Sequence, residues 1–395
     1  MSLPFLAEGL ALLSLAIWLV LFFSWGKFWR IWAFDADRAN SSCPITWPRV
    51  TGIVPARNEA LSIAAVVAAL AKQDYPGEFS AVIVDDHSED ATAELARRAA
   101  IESGATLRFQ IISAPELAPG WTGKLWALNS GVAAAENSTA EFFWFTDADV
   151  VHAPDTLSRL ITRAQQDSLG LTSLMVLLES RTIAERLLIP AFLYFFMMLY
   201  PPSWIASPRA KTAGAAGGCI LLRRSVLERI GGLSAIRNEI IDDCSLARAV
   251  KRSGGQIWMG LTRASYSLRG YSGLAEIRDM IARTAFAQLH YSALQLLLTL
   301  AGLAITFLVP VLLTFARNPR IWLPALLAWC LMTASFLPTV TFYRLAPLYS
   351  LLLPLSAIFY SYGTLLSAVR FWKGRGGQWK GRSQAIPTPP GKTSC

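Results

Sequence analysis

Four long apolar segments limit the folds that are open to this chain of 395 residues. The first segment, residues 4–25, contains Glu8 as its only charged residue and is followed at once by Lys27 and Arg30. The other three segments lie in the last third of the chain, at residues 289–315, 321–343 and 346–369. About 20 apolar residues in a helix cross the ~30 Å hydrocarbon core of a bilayer. The sequence therefore predicts transmembrane helices at both ends and a folded domain between them.

The charges beside these segments predict a topology. Residues 4–25 lack the basic start and the small-residue cleavage site of a signal peptide, so we expect an uncleaved anchor in a bacterial inner membrane. The basic pair that follows places the next domain in the cytoplasm by the positive-inside rule. If all three C-terminal segments crossed, the basic tail would lie outside. If the first of them, which Pro310 interrupts, is instead interfacial or re-entrant, then Arg317, Arg320 and the tail all lie inside, and we favour this arrangement over a transmembrane one. The predicted division is an anchor (1–26), a linker (27–48), an α/β domain (49–270), this segment (271–316), a transmembrane hairpin (317–370) and a basic cytoplasmic tail (371–395).

Composition agrees with a multi-pass membrane protein. Hydrophobic residues make up 53% and charged residues 16% of the chain, above and below the usual values for soluble domains. The net charge of +9 comes from Lys and Arg beside apolar segments and not from a basic stripe interleaved with aromatics, so we expect no nucleic-acid partner. The cysteines have neither metal-ligand nor disulfide spacing, and we interpret them as reduced thiols. They are Cys43, Cys219, Cys244, Cys330 and Cys395.

The central domain alternates strand-like with helix-like runs. Strands are predicted at residues 50–54, 79–84, 109–112 and 141–146, and helices at residues 60–73, 91–103 and 124–135. This alternation implies right-handed crossovers and a mostly parallel sheet, in which ligands bind at the carboxyl ends of the strands. The apolar run at residues 183–200 fits equally well an interfacial helix or a buried core helix.

Polar residues follow the first two predicted strands. The first strand continues through Pro55 and Arg57 to Asn58 and Glu59, and the second runs into an Asp85-Asp86 pair. Acids at strand ends can accept hydrogen bonds from a nucleobase or from ribose hydroxyls. The alternative is that the nearby Ser88 or Asp90 only caps the next helix, and both interpretations can hold.

The fourth strand leads into Asp147-Ala148-Asp149. Residues two apart in extended chain project to the same side, so both carboxylates can face one site. Hard oxygen ligands suit Mg²⁺ or Mn²⁺. Asp-x-Asp alone is also common in solvated turns, and it carries weight here because it ends an apolar strand at a sheet edge.

A second acidic pair, Asp242-Asp243, opens a helical pattern. Acids in a first helical turn are stabilised by the helix dipole, so the pair could be structural. In the functional interpretation Asp243 is a general base, because paired acids raise the proton affinity of at least one member.

The ordered motifs resemble the family 2 glycosyltransferases of GT-A fold, an α/β fold with a Rossmann-like, mostly parallel sheet. They are Pro-Ala-Arg-Asn-Glu from Pro55, Val-Asp-Asp-x-Ser-x-Asp-x-Thr from Val84, Gly-Lys-x-x-Ala-Leu-Asn from Gly123, Asp-x-Asp from Asp147, Gly217-Gly218 with Arg223-Arg224 and Gly231-Gly232, and Asp-Asp-x-x-Leu from Asp242. With the membrane segments and the closing run at residues 374–382, the chain resembles the hopene-associated glycosyltransferases, and more distantly the ceramide glucosyltransferases.

The resemblance implies a UDP- or GDP-linked sugar donor, a lipid acceptor and a role for each matched position. The nucleotide-sugar pocket would comprise Pro55, Arg57, Asn58, Glu59, Asp85, Asp86, Lys124, Asn129 and Asp147. Asp149 and Asp147 would hold the Mg²⁺ or Mn²⁺, and Asp243 would be the catalytic base beside Asp242. Gly217, Gly218, Trp379 and Arg382 would lie on the acceptor side. Lys124 could instead be an exposed helix charge, and the glycines could serve turns only.

One departure from the family pattern bears on the product. Processive members carry Gln-x-x-Arg-Trp, whereas this chain has Met280-Ile281-Ala282-Arg283-Thr284. Arg283 could neutralise the diphosphate, but the Trp platform is missing, which favours transfer of one sugar to a hopanoid or related terpenoid lipid. Polyprenyl phosphate or a ceramide-type lipid is the alternative acceptor. Non-catalytic alternatives are a sugar-nucleotide sensor and a membrane transporter, and the segment at 321–343 argues against a transporter because it contains no charged residue.

Overall fold

The computed structural model describes residues 3–31, 33–34, 46–136, 138–374, 378–379 and 382–383. Its contacts divide the chain into two compact units, which we call the helical unit and the sheet unit. The helical unit consists of Met1–Trp32, Leu178–Thr212 and Gly270–Lys373, and the sheet unit of Ala33–Leu177, Ala213–Arg269 and Gly374–Cys395. Residues 178–212 of the predicted central domain thus cluster with the apolar helices.

Among the described residues, the sheet unit contains one eight-stranded sheet and a separate two-stranded hairpin. The eight strands are β1 (Val50–Ala56), β2 (Phe79–Asp85), β3 (Phe109–Ser113), β4 (Phe142–Thr146), β5 (Val150–His152), β6 (Leu171–Leu177), β7 (Cys219–Arg223) and β8 (Ile257–Ser267), in the order β3-β2-β1-β4-β7-β6-β8-β5. The hairpin pairs β9 (Gln378–Trp379) with β10 (Arg382–Ser383). All four predicted strands are confirmed, as is the α/β class.

Parallel pairing brings the ends of the first strands level. β1 pairs with β2 from Val50 opposite Phe79 to Ala56 opposite Asp85, and β4 and β3 join the outer sides of this pair, also in parallel. Every residue of β1 and of β4 is buried, as expected for strands covered on both faces. β7 then runs antiparallel to β4, with Cys219 opposite Thr146. The loop before β7 therefore lies beside the turn that follows β4.

Helices connect and cover these strands. Those of the sheet unit are α2 (Ile63–Ala71), α3 (Thr92–Glu102), α4 (Gly123–Ala134), α5 (Thr156–Gln166), α8 (Arg224–Arg229) and α9 (Asp242–Arg252), with a 3₁₀ turn at Leu233–Ile236. The predicted helices at 60–73, 91–103 and 124–135 are confirmed as α2, α3 and α4, although residues 60–62 form a turn. α5 shows the usual cause of such docking, because its apolar residues recur at helical spacing and are buried.

The helical unit holds the apolar helices. They are α1 (Leu3–Phe23), α6 (Ile183–Leu199), α7 (Pro202–Ala206), α10 (Leu274–Gln288), α11 (Ala293–Leu303), α12 (Val309–Thr314), α13 (Pro319–Phe342) and α14 (Leu353–Trp372). Within the described part of the chain, four helical stretches are long and apolar enough to cross a membrane: Pro4–Phe23, Ala293–Thr314, Pro319–Phe342 and Pro347–Trp372. Transmembrane-type helices at both ends are thus confirmed by length and composition.

Pro310 does not end the helix in the apolar segment at residues 289–315. α11 continues through a π-helical turn at Ala304–Leu308 into α12, so Ala293–Thr314 is 22 residues of continuous helix. Proline has no N–H, which deprives the carbonyl of Thr306 of its usual helical donor. The indole Nε1 of Trp18 donates to that carbonyl at 2.7 Å. This helix is therefore long enough to cross a membrane completely. The re-entrant or interfacial arrangement stays a prediction.

α6 is a buried helix of the helical unit. It begins with a capping box, in which Thr182 and Glu185 satisfy each other's backbone N–H groups, and it buries most of its apolar side chains. Tyr360 Oη donates to the carbonyl of Leu188 at 3.0 Å, and Tyr194 is hydrogen-bonded to Ser335 at 2.6 Å. These contacts favour the buried-helix interpretation of residues 183–200 over the interfacial one.

Candidate active site

The loops after β1 and β2 are bound to each other. Arg57 Nη1 donates to the carbonyls of Asp86 at 2.5 Å and His87 at 3.0 Å. Asn58 has left-handed backbone, with φ of 51°, and its side-chain oxygen accepts from the amide of Glu89 at 2.8 Å. Arg57 is buried, and its guanidinium holds the loop after β2 in place through these two carbonyls. The loops after β1 and β2 are therefore fixed to each other.

Asp85 and Asp90, at the end of β2 and in the loop that follows it, have different roles. Asp90 accepts hydrogen bonds from the amides of Thr92 at 3.0 Å and Ala60 at 3.2 Å, so it satisfies the first amide of α3, although the N-cap residue itself is Ala91. Asp85 is only 8% exposed. Its Oδ2 is 3.4 Å from the amide of Ser88, and its Oδ1 has no hydrogen-bond partner among the described residues. A buried acceptor without a donor suits a ligand N–H or O–H group.

The Asp-x-Asp turn is held from three sides. Ser62 Oγ donates to the carbonyl of Ala148 at 2.9 Å, Ser267 Oγ donates to Asp149 Oδ2 at 2.9 Å, and the amide of Leu268 donates to the Asp149 carbonyl at 2.7 Å. Burial, followed by the negative charge of Asp147, raises the pKa of Asp149 to about 6. The turn thus holds two carboxylates whose mutual repulsion a cation would relieve.

This donor set fits a divalent metal that the substrate completes. Asp147 and Asp149 provide hard carboxylate oxygens, the ligands of Mg²⁺ and Mn²⁺. No group of three or more His, Cys, Asp or Glu side chains among the described residues is arranged to hold a metal ion. Mg²⁺ sites commonly use one or two carboxylates, with phosphate and water oxygens filling the other positions. The residues therefore suit an ion that arrives with a diphosphate.

Lys124 connects the two acidic motifs. Its Nζ lies 2.7 Å from Asp147 Oδ1 and 3.8 Å from Asp242 Oδ2, and its side chain is 19% exposed. Burial acts to lower the pKa of Lys124, but the carboxylates of Asp147 and Asp242 outweigh it and raise the pKa above its ordinary value. Lys124 is therefore a charged member of the cluster and not an exposed helix charge.

Asp243 is oriented by backbone amides. Gly217 N donates to its Oδ2 at 2.9 Å and Cys244 N to its Oδ1 at 2.7 Å. Burial, and then the charge of Asp242, raises the pKa of Asp243 to about 6. A Cβ on Gly217 would lie 3.1 Å from Lys124 Nζ and 3.4 Å from Asp243 Oδ2, so a glycine there allows the close approach. Pairing does raise the proton affinity, as the sequence suggested, although burial contributes more.

Some of these groups line one recess with an empty volume of about 330 Å³, including its open mouth, whereas Asp149 and Asp85 are not among its lining residues. The lining brings together Pro55, Lys124, Asp147, Gly217, Asp242 and Asp243. Sequence reasoning missed the apolar part of the lining, which includes Leu233 and Ile236 of the 3₁₀ turn, because isolated apolar residues carry no motif. Acids from two distant motifs thus share one recess, as an enzyme assignment requires.

Other predicted site residues lie elsewhere. Asn129 is half-buried on α4 and is not among the described residues that line the recess. Gly218 would place a Cβ 3.8 Å from Asp147 Oδ2, so it borders the metal side. Arg283 is exposed on α10, in the helical unit. Trp379 and Arg382 lie in β9 and β10, and their side chains, like Cys43 and Cys395, are outside what the structure describes. The roles of all these residues stay predictions.

Residues 51–231 match the model of glycosyl transferase family 2. An N-acetylglucosaminyltransferase of Rhizobium leguminosarum is 32% identical over 124 residues, covering 31% of this chain and 27% of that protein. An N-acetylglucosaminyltransferase of Mesorhizobium japonicum is 27% identical over 192 residues, covering 46% and 41% respectively. The chain therefore spans less than half the length of these curated relatives.

A mannosyltransferase from Pyrobaculum calidifontis, solved with GDP-Man and Mn²⁺, has a similar fold. The TM-score is 0.55 at 20% sequence identity, over 93% of this chain and 99% of the other. This similarity concerns the fold. Together with the family match, it shows that residues 51–231 belong to a family 2 glycosyltransferase domain of GT-A fold.

Proposed function

We propose that this chain is an inverting, metal-dependent glycosyltransferase that moves one sugar from a nucleotide-sugar donor to a membrane lipid. The observation that carries the proposal is the single recess in which Lys124 lies 2.7 Å from Asp147 and 3.8 Å from Asp242, beside Asp243. A diphosphate holder and a basic carboxylate are thereby placed together. This is the minimum that glycosyl transfer to a hydroxyl requires.

Asp243 would act as the general base. A carboxylate with a pKa of about 6 is ionised at neutral pH, yet is more basic than an ordinary aspartate. The amides of Gly217 and Cys244 hold its two oxygens, which restricts its rotation. It would take the proton from the acceptor hydroxyl as that oxygen attacks the anomeric carbon from the face opposite the leaving diphosphate. One such displacement inverts the anomeric configuration and needs no covalent enzyme intermediate.

The Asp147–Asp149 turn, Lys124 and the loops after β1 and β2 would hold the donor. Asp149 and Asp147 would hold a Mg²⁺ or Mn²⁺ ion, which supplies positive charge to the leaving diphosphate. Lys124 carries a further positive charge next to Asp147 and can approach the same phosphate oxygens. Asp85, with an unused buried oxygen, would accept a hydrogen bond from the base or ribose. The loops after β1 and β2 would exclude water from the nucleotide.

The donor and acceptor follow from other observations. Two relatives are named N-acetylglucosaminyltransferases, so UDP-N-acetylglucosamine is our first choice of donor. Four helical stretches within the described residues are apolar and long enough to cross a membrane, which supports a lipid acceptor and a place in the bacterial inner membrane with the sheet unit in the cytoplasm. The hopanoid-type resemblance favours a hopanoid or related terpenoid carrying a hydroxyl group.

The decisive experiment presents the detergent-purified protein with a panel of UDP- and GDP-linked sugars and a total bacterial lipid extract. Mass spectrometry of the lipids should show one species heavier by one hexose or N-acetylhexosamine residue. A mass shift on a polyprenyl phosphate or on a ceramide-type lipid would replace the proposed acceptor. If no donor in the panel is consumed and no lipid gains mass, while the protein binds nucleotide sugar, it is a sensor and the proposal is wrong.

Metal dependence has its own test. Excess chelator should abolish transfer, and added Mg²⁺ or Mn²⁺ should restore it. Full activity after exhaustive chelation would remove the metal role of Asp149 without affecting the assignment of Asp243.

A further inference from the structure

His152 is fully enclosed near the recess, yet glycosyl transfer as proposed above does not use it. The residue is 3% exposed and lies at the end of β5, with its ring 4.6 Å from that of Trp144 between ring centroids. Its Nε2 is 2.7 Å from Thr146 Oγ1, and its Nδ1 is 2.8 Å from Ser265 Oγ. Both ring nitrogens are therefore hydrogen-bonded inside the sheet unit.

The Gly218 carbonyl determines which group donates and which accepts in each of these hydrogen bonds. The carbonyl of Gly218 can only accept, and Thr146 Oγ1 donates its one hydrogen to it at 3.1 Å. The Thr146 oxygen must then accept from His152 Nε2–H, which leaves Nδ1 as an acceptor for the Ser265 hydroxyl. Burial lowers the pKa of His152 to about 3, so the ring stays neutral and keeps one donor and one acceptor. The chain of donors runs from Ser265 to Gly218 without a break.

This chain ends at the turn that holds the base. Gly218 follows Gly217, whose amide donates to Asp243 Oδ2 at 2.9 Å. At the other side, Thr146 is the last residue of β4 and immediately precedes Asp147. Ser173 also holds the turn, because its Oγ accepts from the amide of Ala216 at 2.8 Å. Loss of this series of hydrogen bonds should therefore shift the Gly217–Gly218 turn and not release it.

We propose that His152 is a positioning residue for the reaction, which holds the Gly217–Gly218 turn, and through it the Asp243 carboxylate, at a fixed place relative to the Asp147–Asp149 turn. The inference rests on the proposed function, because it takes Asp243 to be the base. His152 does not exchange protons with the substrate in this arrangement. It acts through Thr146 and Gly218.

The test compares His152→Phe with His152→Gln. Phenylalanine keeps a ring against Trp144 but breaks the chain, whereas the glutamine amide offers one donor and one acceptor in its place. In His152→Phe we expect kcat to fall ~10- to 10²-fold with little change in donor KM, as for small misplacements of a catalytic group.

The Gly217 amide lowers the pKa of Asp243, so its displacement should move the acidic limb of the pH-rate profile upward by about half a unit or more. Asp242 and Lys124, which also face Asp243, are unchanged in both variants. His152→Gln should recover most of both losses.

Two further variants keep the test decisive if His152→Phe fails to fold. Ser265→Ala removes only the first hydrogen bond of the chain and should move the acidic limb in the same direction by less. Thr172→Val is the matched control, because Thr172 is a buried hydroxyl on β6 without a hydrogen-bond partner among the described residues. Assays use the donor found in the panel, starting with UDP-N-acetylglucosamine, and thermal unfolding reports folding.

An unchanged acidic limb in folded His152→Phe or in Ser265→Ala would overturn the proposal, as would equal losses in the Phe and Gln variants. Asp243→Asn separates this failure from failure of the proposed function. If Asp243→Asn stays active, the base is misassigned. If it is inactive while the His152 variants behave like the wild type, only the positioning role is wrong.

Discussion

The two units bury polar groups in different ways. In the helical unit, neutral side-chain donors satisfy single backbone carbonyls, as Trp18 does at Thr306 and Tyr360 at Leu188. In the sheet unit, a lysine and several aspartates share one recess, with Lys124 only 2.7 Å from Asp147. Neutral bonds of the first kind each contribute about 1 kcal/mol and depend little on one another. Buried charges cost several kcal/mol unless they are paired.

This difference separates stability from chemistry. Removing one neutral donor from the helical unit affects one carbonyl, whereas removing one charge from the sheet unit changes the proton affinity of the charges that remain. Asp243 shows this dependence, because Asp242 raises its pKa and Lys124 lowers it. Mutations in the two units should therefore differ in kind, which can be measured.

Asp243→Asn should cause the largest loss. The amide cannot accept the acceptor's proton, so kcat should fall by ~10² to 10⁴, the usual contribution of a positioned base. Donor affinity should change little, since Asp243 contacts backbone amides and not the Asp147–Asp149 turn. Steady-state kinetics with thermal unfolding measure both effects. Asp167→Asn, at an exposed ion pair with Arg163, is the matched control and should behave like the wild type.

Lys124→Met should cause the next largest loss, ~10- to 10²-fold in kcat/KM, because it leaves the carboxylates of Asp147 and Asp242 without their shared cation. The pKa of Asp243 should rise further, moving the acidic limb to higher pH. Lys72→Met, at an exposed position after α2, is the control. Wild-type kinetics in Lys124→Met would mean that the cluster is structural only.

The pH dependence should show which acids titrate. Asp243 and Asp149 both have pKa values raised to about 6, and both would act as carboxylates in the proposed reaction, so activity should rise with pH through 6. Bound metal favours the ionised form of Asp149. At saturating metal we therefore expect about a tenfold loss per pH unit below 6, from Asp243 alone, and a steeper loss at limiting metal.

The same shifts affect stability with the opposite sign. Because the folded state of the metal-free protein holds protons that the unfolded chain releases above about pH 4, its free energy of unfolding should fall as the pH rises from about 4 to 6. Chemical denaturation at several pH values measures this. An unfolding free energy that instead rises over this range would contradict the raised pKa values.

Trp18→Phe should have the smallest effect. It removes the indole N–H from the Thr306 carbonyl and should lower the free energy of unfolding by about 1 kcal/mol, with kcat within about twofold of the wild type. Denaturation in detergent or lipid nanodiscs provides the measurement. A loss of activity as large as that of Lys124→Met would erase the distinction between the units.

The sequence predicted the first half of the sheet and missed the second. β1 to β4 alternate with helices, and β1, β2 and β4 are followed by polar motifs, so their pattern is local. β6, β7 and β8 do not alternate with helices of similar length, and their pairing is decided by contacts between distant parts of the chain. Residues 183–200 fit equally well an interfacial or a buried helix, because an apolar run does not reveal what covers it.

The candidate site divides in the same way. The sequence by itself determined which acids stand at strand ends and which segments are apolar enough for a membrane, because both depend on residue type and local period. Only the tertiary structure decided that Lys124 pairs with Asp147, that Gly217 reaches Asp243, and that His152 joins Ser265 to Thr146. Distance and burial set the pKa of a carboxylate, and both arise from packing between segments that are remote in the chain.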